Sequence, residues 1–298
     1  MKKQLLAVAV AALAVTGALA QANDTLAKVK ASGTITMGVR ESSGAMSYTL
    51  GDGKYAGFHV EICQRVIQAV ETAVGRKLEV KYQPVTSQNR IPLVQNGTVD
   101  IECGTTTNNA TRAKDVSFLN TTFVEEVRMA VKANSGITSI AQLNGKNVAT
   151  TTGTTSVQTL RKNERASNID FKEVYGKDHA DSFLLLESGR ADAFVMDDNI
   201  LAGLIASSKN PKDYAIVGET LNVEPIAIMI RKDDPKFKKA VDDYIRGAMK
   251  DGELNILYTK WFMKPIPPKD TSVNLPMGKI LSDLVKKPSD APAEEFNK

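Results

Sequence analysis

Hydrophobic positions along the chain alternate between a period of two and a period near 3.6. Ile35-Thr36-Met37-Gly38-Val39 reads as a strand, and Phe58, Ile62, Val66, Ala69, Val70 and Ala73 then recur at helical spacing until Gly75. Leu78, Val80 and Tyr82 alternate as a strand, a short helix over residues 87–95 stops at Gly97, and Val99, Ile101 and Cys103 alternate again. A second run with the same rhythm begins near Gly136. It predicts a short helix through Ile140 and Leu143, a strand over 147–151, a helix over 156–165 and a strand through Phe171 and Val174. A helix over 180–188, a buried strand over 193–196 and a short strand over 214–217 complete it. Strands alternating with helices in this way predict an α/β protein built on mostly parallel sheets flanked by helices.

Two extended segments, Val127–Val131 and Pro225–Ile230, bracket the second run. That bracketing predicts one domain inserted within another: lobe 1 from residues 23–127 plus 226–265, lobe 2 from 128–225, and two crossovers between them. After the return, Asp234-Pro235 opens a helix whose apolar face is Phe237, Ala240, Val241, Tyr244, Ile245 and Ala248, and another helix covers 254–261. Proline at 265, 267 and 268 ends regular structure. The C-terminal extension, 266–298, is polar, with a short helix near 279–285, and reads as a peripheral appendage frayed at its end.

The N-terminus follows a different pattern. Lys2 and Lys3 precede an apolar stretch over 5–19, and Ala18-Leu19-Ala20 is a small-x-small cleavage site, so residues 1–20 read as a signal peptide that sends the chain to the periplasm. A cut after Ala22 fits nearly as well. The apolar stretch is short for a membrane span, and no cysteine at the cut points to a lipid anchor. The formal charge is +4, and losing Lys2 and Lys3 leaves +2. Scattered charge near neutrality argues against a nucleic-acid partner. Two cysteines, Cys63 and Cys103, allow one disulfide in an oxidising compartment, with two buried thiols as the alternative.

Enzyme and metal signatures are missing. There is no Gly-x-Ser-x-Gly elbow and no phosphate-binding loop, and the only histidines, His59 and His179, have no ligand-spaced partners, so no metal and no cofactor is expected. Polar donors gather instead where strands end. The runs are Thr86-Ser87-Gln88-Asn89-Arg90; Cys103-Gly104-Thr105-Thr106-Thr107-Asn108-Asn109, with Arg112 beyond; and Thr150-Thr151-Thr152-Gly153-Thr154-Thr155-Ser156. In open α/β sheets ligands bind at the carboxyl ends of strands, and helix N-termini, hydroxyls and arginines there make carboxylate sites. Taken singly, Ser87, Thr107 and Thr155 read as helix N-caps. Three clusters, two of them carrying arginine, favour a ligand cleft.

These segments resemble bacterial periplasmic amino-acid-binding proteins of the type II fold, and among them the glutamate/aspartate-binding proteins of ABC transporters. Val39-Arg40-Glu41-Ser42-Ser43, Lys177-Asp178-His179, Leu186-Glu187-Ser188-Gly189-Arg190-Ala191, Met196-Asp197-Asp198 and Arg231-Lys232-Asp233-Asp234-Pro235 extend the likeness over nearly all of the mature chain. The resemblance implies a two-lobed, non-enzymatic, monomeric substrate-binding component that closes by a hinge on L-glutamate or L-aspartate and delivers it to the transmembrane subunits of an ABC permease. It implies that Arg112 clamps the α-carboxylate, helped by Thr105, Thr107 and Thr155 with Thr154 beside them, and that Asp197 holds the α-ammonium. Arg40, Ser87, Arg90 and His179 would reach the side-chain carboxylate, and a protonated His179 would add to the cations that call for it. His59 departs from the acidic residue common in relatives and reads as a helix-start residue outside the site. The alternative is an enzyme of the same fold, such as a cyclohexadienyl (prephenate/arogenate) dehydratase, and a purely structural role is a third reading.

Overall fold

The computed structural model describes residues 24–296, so the signal-peptide expectation lies outside the described residues. Helix α1 (Thr25–Ser32) is capped by Asp24, which accepts from the Ala27 amide. Strand β1 (Thr34–Val39) follows, then the short strands β2 (Ser42–Ser43), β3 (Ser47–Gly51) and β4 (Lys54–Ala56), which form a small sheet of their own. Gly57 turns the chain into α2 (Phe58–Val74) at φ 134, a conformation that favours glycine, and a side chain there would collide with the Met46 carbonyl. Next come β5 (Glu79–Pro84), α3 (Arg90–Gln95), β6 (Ile101–Glu102) and β7 (Val116–Phe118).

The chain then runs into β8 (Phe123–Lys132), β9 (Asn147–Thr151), α4 (Thr155–Ser167), β10 (Lys172–Gly176), α5 (His179–Glu187), β11 (Ala193–Asp197) and α6 (Asp198–Ser207). Strand β12 (Tyr214–Ile226) leads back to β13 (Met229–Arg231). Helix α7 (Pro235–Lys250) starts as expected, with Asp234 accepting from the Phe237 amide and proline in the first turn. Helices α8 (Glu253–Tyr258), α9 (Lys279–Lys286) and α10 (Ala293–Phe296) complete the described chain.

Two five-stranded sheets result, in the orders β5-β1-β6-β13-β7 and β10-β9-β11-β8-β12. Both are mixed rather than mostly parallel. The strand–helix–strand units pair parallel, β1 with β5 and β6, and β9 with β10 and β11. The strands that carry the chain between sheets, β8, β12 and β13, pair antiparallel. Their meeting point is a ribbon in which Phe123–Val127 lies against 222–226. Residues 214–217 and 225–226, expected as separate segments, belong to the single strand β12. Its register shifts between Val217 and Asn222, past Gly218 at φ 80.

The first sheet buries a large core joined by rings from Phe58, Phe123, Tyr258 and Phe262 and a smaller one around Val94, Val99 and Phe118. The second sheet packs two smaller cores, one around Val127, Leu160 and Val195 and the other around Phe183, Phe194 and Ile200. Cys63 on α2 is bonded to Cys103 after β6, their Cα atoms 6.4 Å apart, so the disulfide reading holds over the thiol one. The C-terminal extension is docked rather than frayed as far as residue 296. Leu281 is buried, the Thr121 amide donates to the Ser289 carbonyl, and the Ala293 amide donates to the Asn108 carbonyl.

Candidate functional site

The carboxyl ends of β5, β6, β9 and β11 converge between the two sheets. A small cavity there is lined by Ser87, Arg90, Thr105 and Thr107 from the first sheet's loops and by Thr154, Thr155, His179, Met196 and Asp197 from the second. Eight of the ten residues singled out from the sequence therefore meet at one place. Arg40 and Arg112 stand beside it. Arg112 donates to the Thr107 carbonyl at 3.0 Å and, across the cleft, to the Gly153 carbonyl at 3.4 Å.

Close approach of the two halves depends on small residues. Gly153, at φ 81, lies against the backbone of Ser87 and Gln88, where a Cβ would fall 2.9 Å from Gln88 Cα.

The helix-cap readings fail at all three positions. Helix α3 starts at Arg90 with Asn89 in the cap position, and Ser87 Oγ has no protein partner. Thr107 precedes no helix and is bridged to Ile226 on the ribbon. Thr155, in the first turn of α4, donates to Glu224 Oε2 at 2.6 Å. Thr154 donates to the Thr151 carbonyl.

The electrostatics differ from the sequence expectation in two respects. His179 is neutral. Its Nε2 lies 3.1 Å from Arg40 Nη2, which can only donate, so Nε2 accepts and the proton sits on Nδ1, facing Thr151 Oγ1 at 3.0 Å. Burial, with Arg40 second, pushes its pKa down to about 3, which removes the expected protonated histidine. Arg40, in turn, is not a free cation. It is fully buried and pairs with Asp178 of the opposite sheet at 2.5 Å, and Ser42 donates to the same carboxylate. Burial pushes the Asp178 carboxyl up, but Arg40 and its neighbours outweigh this and hold it below the usual range.

Arg90 and Arg112 make no carboxylate ion pair among the described residues. Arg90 donates to the Thr105 carbonyl, and its Nε has no partner. Burial, the nearby Arg112 and Arg40 push its pKa down to about 9, and burial lowers that of Arg112. Opposite them, burial and then Glu224 and Asp198 hold the Asp197 carboxyl well above its ordinary value, and its Oδ1 has no partner.

Sequence reasoning missed Glu224, which lies near the end of β12, is 1% exposed and accepts from both Thr107 and Thr155. Its place directly before the apolar return segment that begins at Pro225 was the available signal. It also missed Asp178, although the quoted Lys177-Asp178-His179 contains it. His59, by contrast, lies outside the cavity, as expected, with its ring nitrogens 2.6 Å from the Gly104 carbonyl and from Thr122 Oγ1. Among the described residues, no group of three or more His, Cys, Asp or Glu is arranged to hold a metal ion.

Two mixed sheets joined by a two-stranded ribbon, with polar strand ends facing each other, define a solute-binding protein of the type II fold. The chain belongs to the bacterial extracellular solute-binding proteins, family 3, whose model matches residues 35–264. It is 42% identical over 292 residues to the glutamate/aspartate import solute-binding protein of Escherichia coli (strain K12), covering 95% of this chain and 97% of that one. It is 44% identical over 275 residues to the L-glutamate/L-aspartate-binding protein of Pseudomonas aeruginosa, covering 91% of each. Among solved structures, an ABC transporter/periplasmic binding protein from Brucella ovis with glutathione bound superposes with a TM-score of 0.71 at 25% identity, covering 78% of this chain and 73% of its own. An ancestral amino acid-binding protein, a precursor of cyclohexadienyl dehydratase, superposes with a TM-score of 0.68 at 27% identity, covering 80% and 99%.

Proposed function

We propose that this protein is the periplasmic substrate-binding component of an ABC amino-acid import system and that it captures L-glutamate and L-aspartate for a membrane permease. The observation that carries the reading is a pair of guanidiniums, Arg90 and Arg112, at one small cavity without carboxylate partners. Arg90 is buried and Arg112 half-buried, and cations brought together out of water repel each other and lose hydration, which is costly unless an anion joins them. A dicarboxylic amino acid supplies two carboxylates and, for Asp197, an ammonium. Planar guanidiniums meet carboxylates through two parallel hydrogen bonds. Arg112 takes the α-carboxylate, while Arg90 and Ser87 take the side-chain carboxylate. Arg40 and His179 back that subsite as an ion-paired and a neutral group respectively.

The ribbon of β8 and β12 is the hinge, with lobe 1 as 23–127 plus 226–265 and lobe 2 as 128–225. Among the described residues, the cavity's only apolar lining side chain is Met196, which suits a small polar ligand better than the ring of a dehydratase substrate.

Calorimetry with glutamate, aspartate, glutamine and asparagine tests this. Glutamine offers a neutral carbonyl and turns an NH2 toward guanidinium donors. The acidic pair should therefore bind at least ~100-fold tighter, roughly 3 kcal/mol. Glutamine binding within a few-fold of glutamate would sink both the reading and the assignment of Arg90.

A further inference from the structure

A threonine hydroxyl has a single proton to give and two lone pairs to offer. Thr107 Oγ1 gives its proton to Glu224 Oε2 at 2.5 Å, and Thr155 Oγ1 gives its own to the same oxygen at 2.6 Å. The two hydroxyls lie 3.3 Å from each other, a weaker contact that takes neither proton away. Asn222 Nδ2 donates to the other carboxylate oxygen at 3.0 Å, which fixes the orientation of the group. Glu224 is buried on the strand that returns to the first sheet, and the two threonines come from opposite sides of the cleft.

We propose that Glu224 is a positioning residue that makes acceptors of the Thr107 and Thr155 hydroxyls, so that with Asp197 they form the subsite for the ligand's α-ammonium group. The inference rests on the amino-acid-binding reading and reverses the expected role of these hydroxyls as helpers of Arg112. With their protons committed, both would present lone pairs, and a carboxylate placed there would meet repulsion from them and from the Glu224 charge. An ammonium has three N–H groups, and the two hydroxyls and Asp197 Oδ1, itself without a protein partner, are three acceptors. The cavity lining then divides by polarity, with guanidiniums and the Ser87 hydroxyl as donors and these three groups as acceptors. Because the threonines sit on different sheets, the ammonium subsite is complete only when the two halves meet.

The test compares glutamate with glutarate, which keeps both carboxylates and lacks the ammonium. Binding of each is measured by calorimetry to the wild-type protein and to Glu224→Met and Glu224→Gln. Glutamate should be strongly preferred by the wild type. Glu224→Met, which frees the hydroxyl protons, should cut the glutamate-to-glutarate ratio at least tenfold, about the worth of one hydrogen bond to a charged group. Glu224→Gln retains an oxygen that accepts from both hydroxyls and should recover most of the ratio.

Thr155→Val and Thr155→Ser repeat the comparison with Glu224 intact and carry the test if Glu224→Met does not fold. Val should lower the ratio and Ser restore it. Equal weakening of both ligands, Gln behaving like Met, or an unchanged ratio in Glu224→Met would each overturn the proposal while leaving glutamate capture in place. A wild-type protein that binds neither ligand overturns the amino-acid reading and this inference together.

Discussion

The two walls of the cleft are built differently. The first-sheet wall carries the cations, Arg90 at the start of α3 after β5 and Arg112 in the connection after β6, and the chain behind them is held three ways. Cys103, two residues before Thr105, is bonded to α2. The Asn108 carbonyl and side-chain amide bind the C-terminal extension. An aromatic cluster fills the core beneath. The second-sheet wall carries Asp197 and His179 and a helix N-terminus at Thr155, over cores that lack such an aromatic cluster, with no crosslink among the described residues. Holding repelling guanidiniums at fixed positions needs a stiff support. The opposite wall brings acceptors and hydroxyls and can close over what the first wall has already gathered.

The largest effect expected of this difference is on stability. The disulfide closes a loop of 40 residues, and in the chain-entropy treatment such a crosslink is worth about 4 kcal/mol. Replacing Cys63 and Cys103 with alanine should lower the urea unfolding free energy by a few kcal/mol and weaken glutamate binding through the loosened Thr105–Arg112 loop. A loss below ~1 kcal/mol would show that the first wall owes its rigidity to packing and to the C-terminal strap instead.

Within the first wall, the two arginines separate by what they recognise. Arg112→Met should weaken glutamate, aspartate and glutamine alike by roughly 3 kcal/mol, since truncating one partner of a desolvated charge pair costs 2–5 kcal/mol. Arg90→Met should cost glutamate about 2 kcal/mol and glutamine little, shrinking the preference between them by ten- to thirtyfold. Titrations of both variants against all three ligands decide the matter. If Arg112→Met spares glutamine, or Arg90→Met weakens it equally, the two subsites have been assigned the wrong way round.

How far the sequence carries this picture depends on the range of the forces involved. Strands β1, β9 and β11 and helices α2, α5 and α7 were legible because one buried face imposes its period on the chain. Strands β2 to β4 were not, being two to five residues long. Helix α6 was missed because Ile200, Leu201, Leu204 and Ile205 surround Gly203 without leaving a polar face. At the site, residue types at strand ends and the family likeness brought eight of ten candidates to the cavity. Charge state was not legible, because it depends on partners distant in sequence. Arg40 meets Asp178 across 138 residues, and Thr107 meets Glu224 across 117. No local pattern contains those pairs.

The last effect concerns pH and the two histidines. Both are buried and neutral at pH 7. Burial pushes His59 down to about 4 and His179 down to about 3. In the unfolded chain each takes a proton near pH 6.5, while the folded protein refuses it until far lower. Between pH 6.5 and about 4 the unfolded state therefore binds more protons, so stability is full above 6.5 and falls as the pH drops, by about 1.4 kcal/mol per pH unit for each histidine.

The surroundings of the two rings differ. His59 is held by Gly104 and Thr122, on the first-sheet side alone, so separating the halves should leave these two contacts in place. His179 is held by Arg40 from one sheet and Thr151 from the other, so opening the cleft releases it. Acid should thus act on His59 through stability only and on His179 through ligand affinity as well. Burial and the neighbouring carboxylates also favour the neutral form of the Asp197 carboxyl, and the difference between wild type and His179→Gln removes that contribution. Between pH 7 and 5, wild-type affinity for glutamate should fall relative to His179→Gln by up to about tenfold per pH unit, while His59→Gln should flatten only the urea stability profile. Identical affinity profiles for wild type and His179→Gln would show that the ring stays buried when the cleft opens and that the two walls do not separate at that contact.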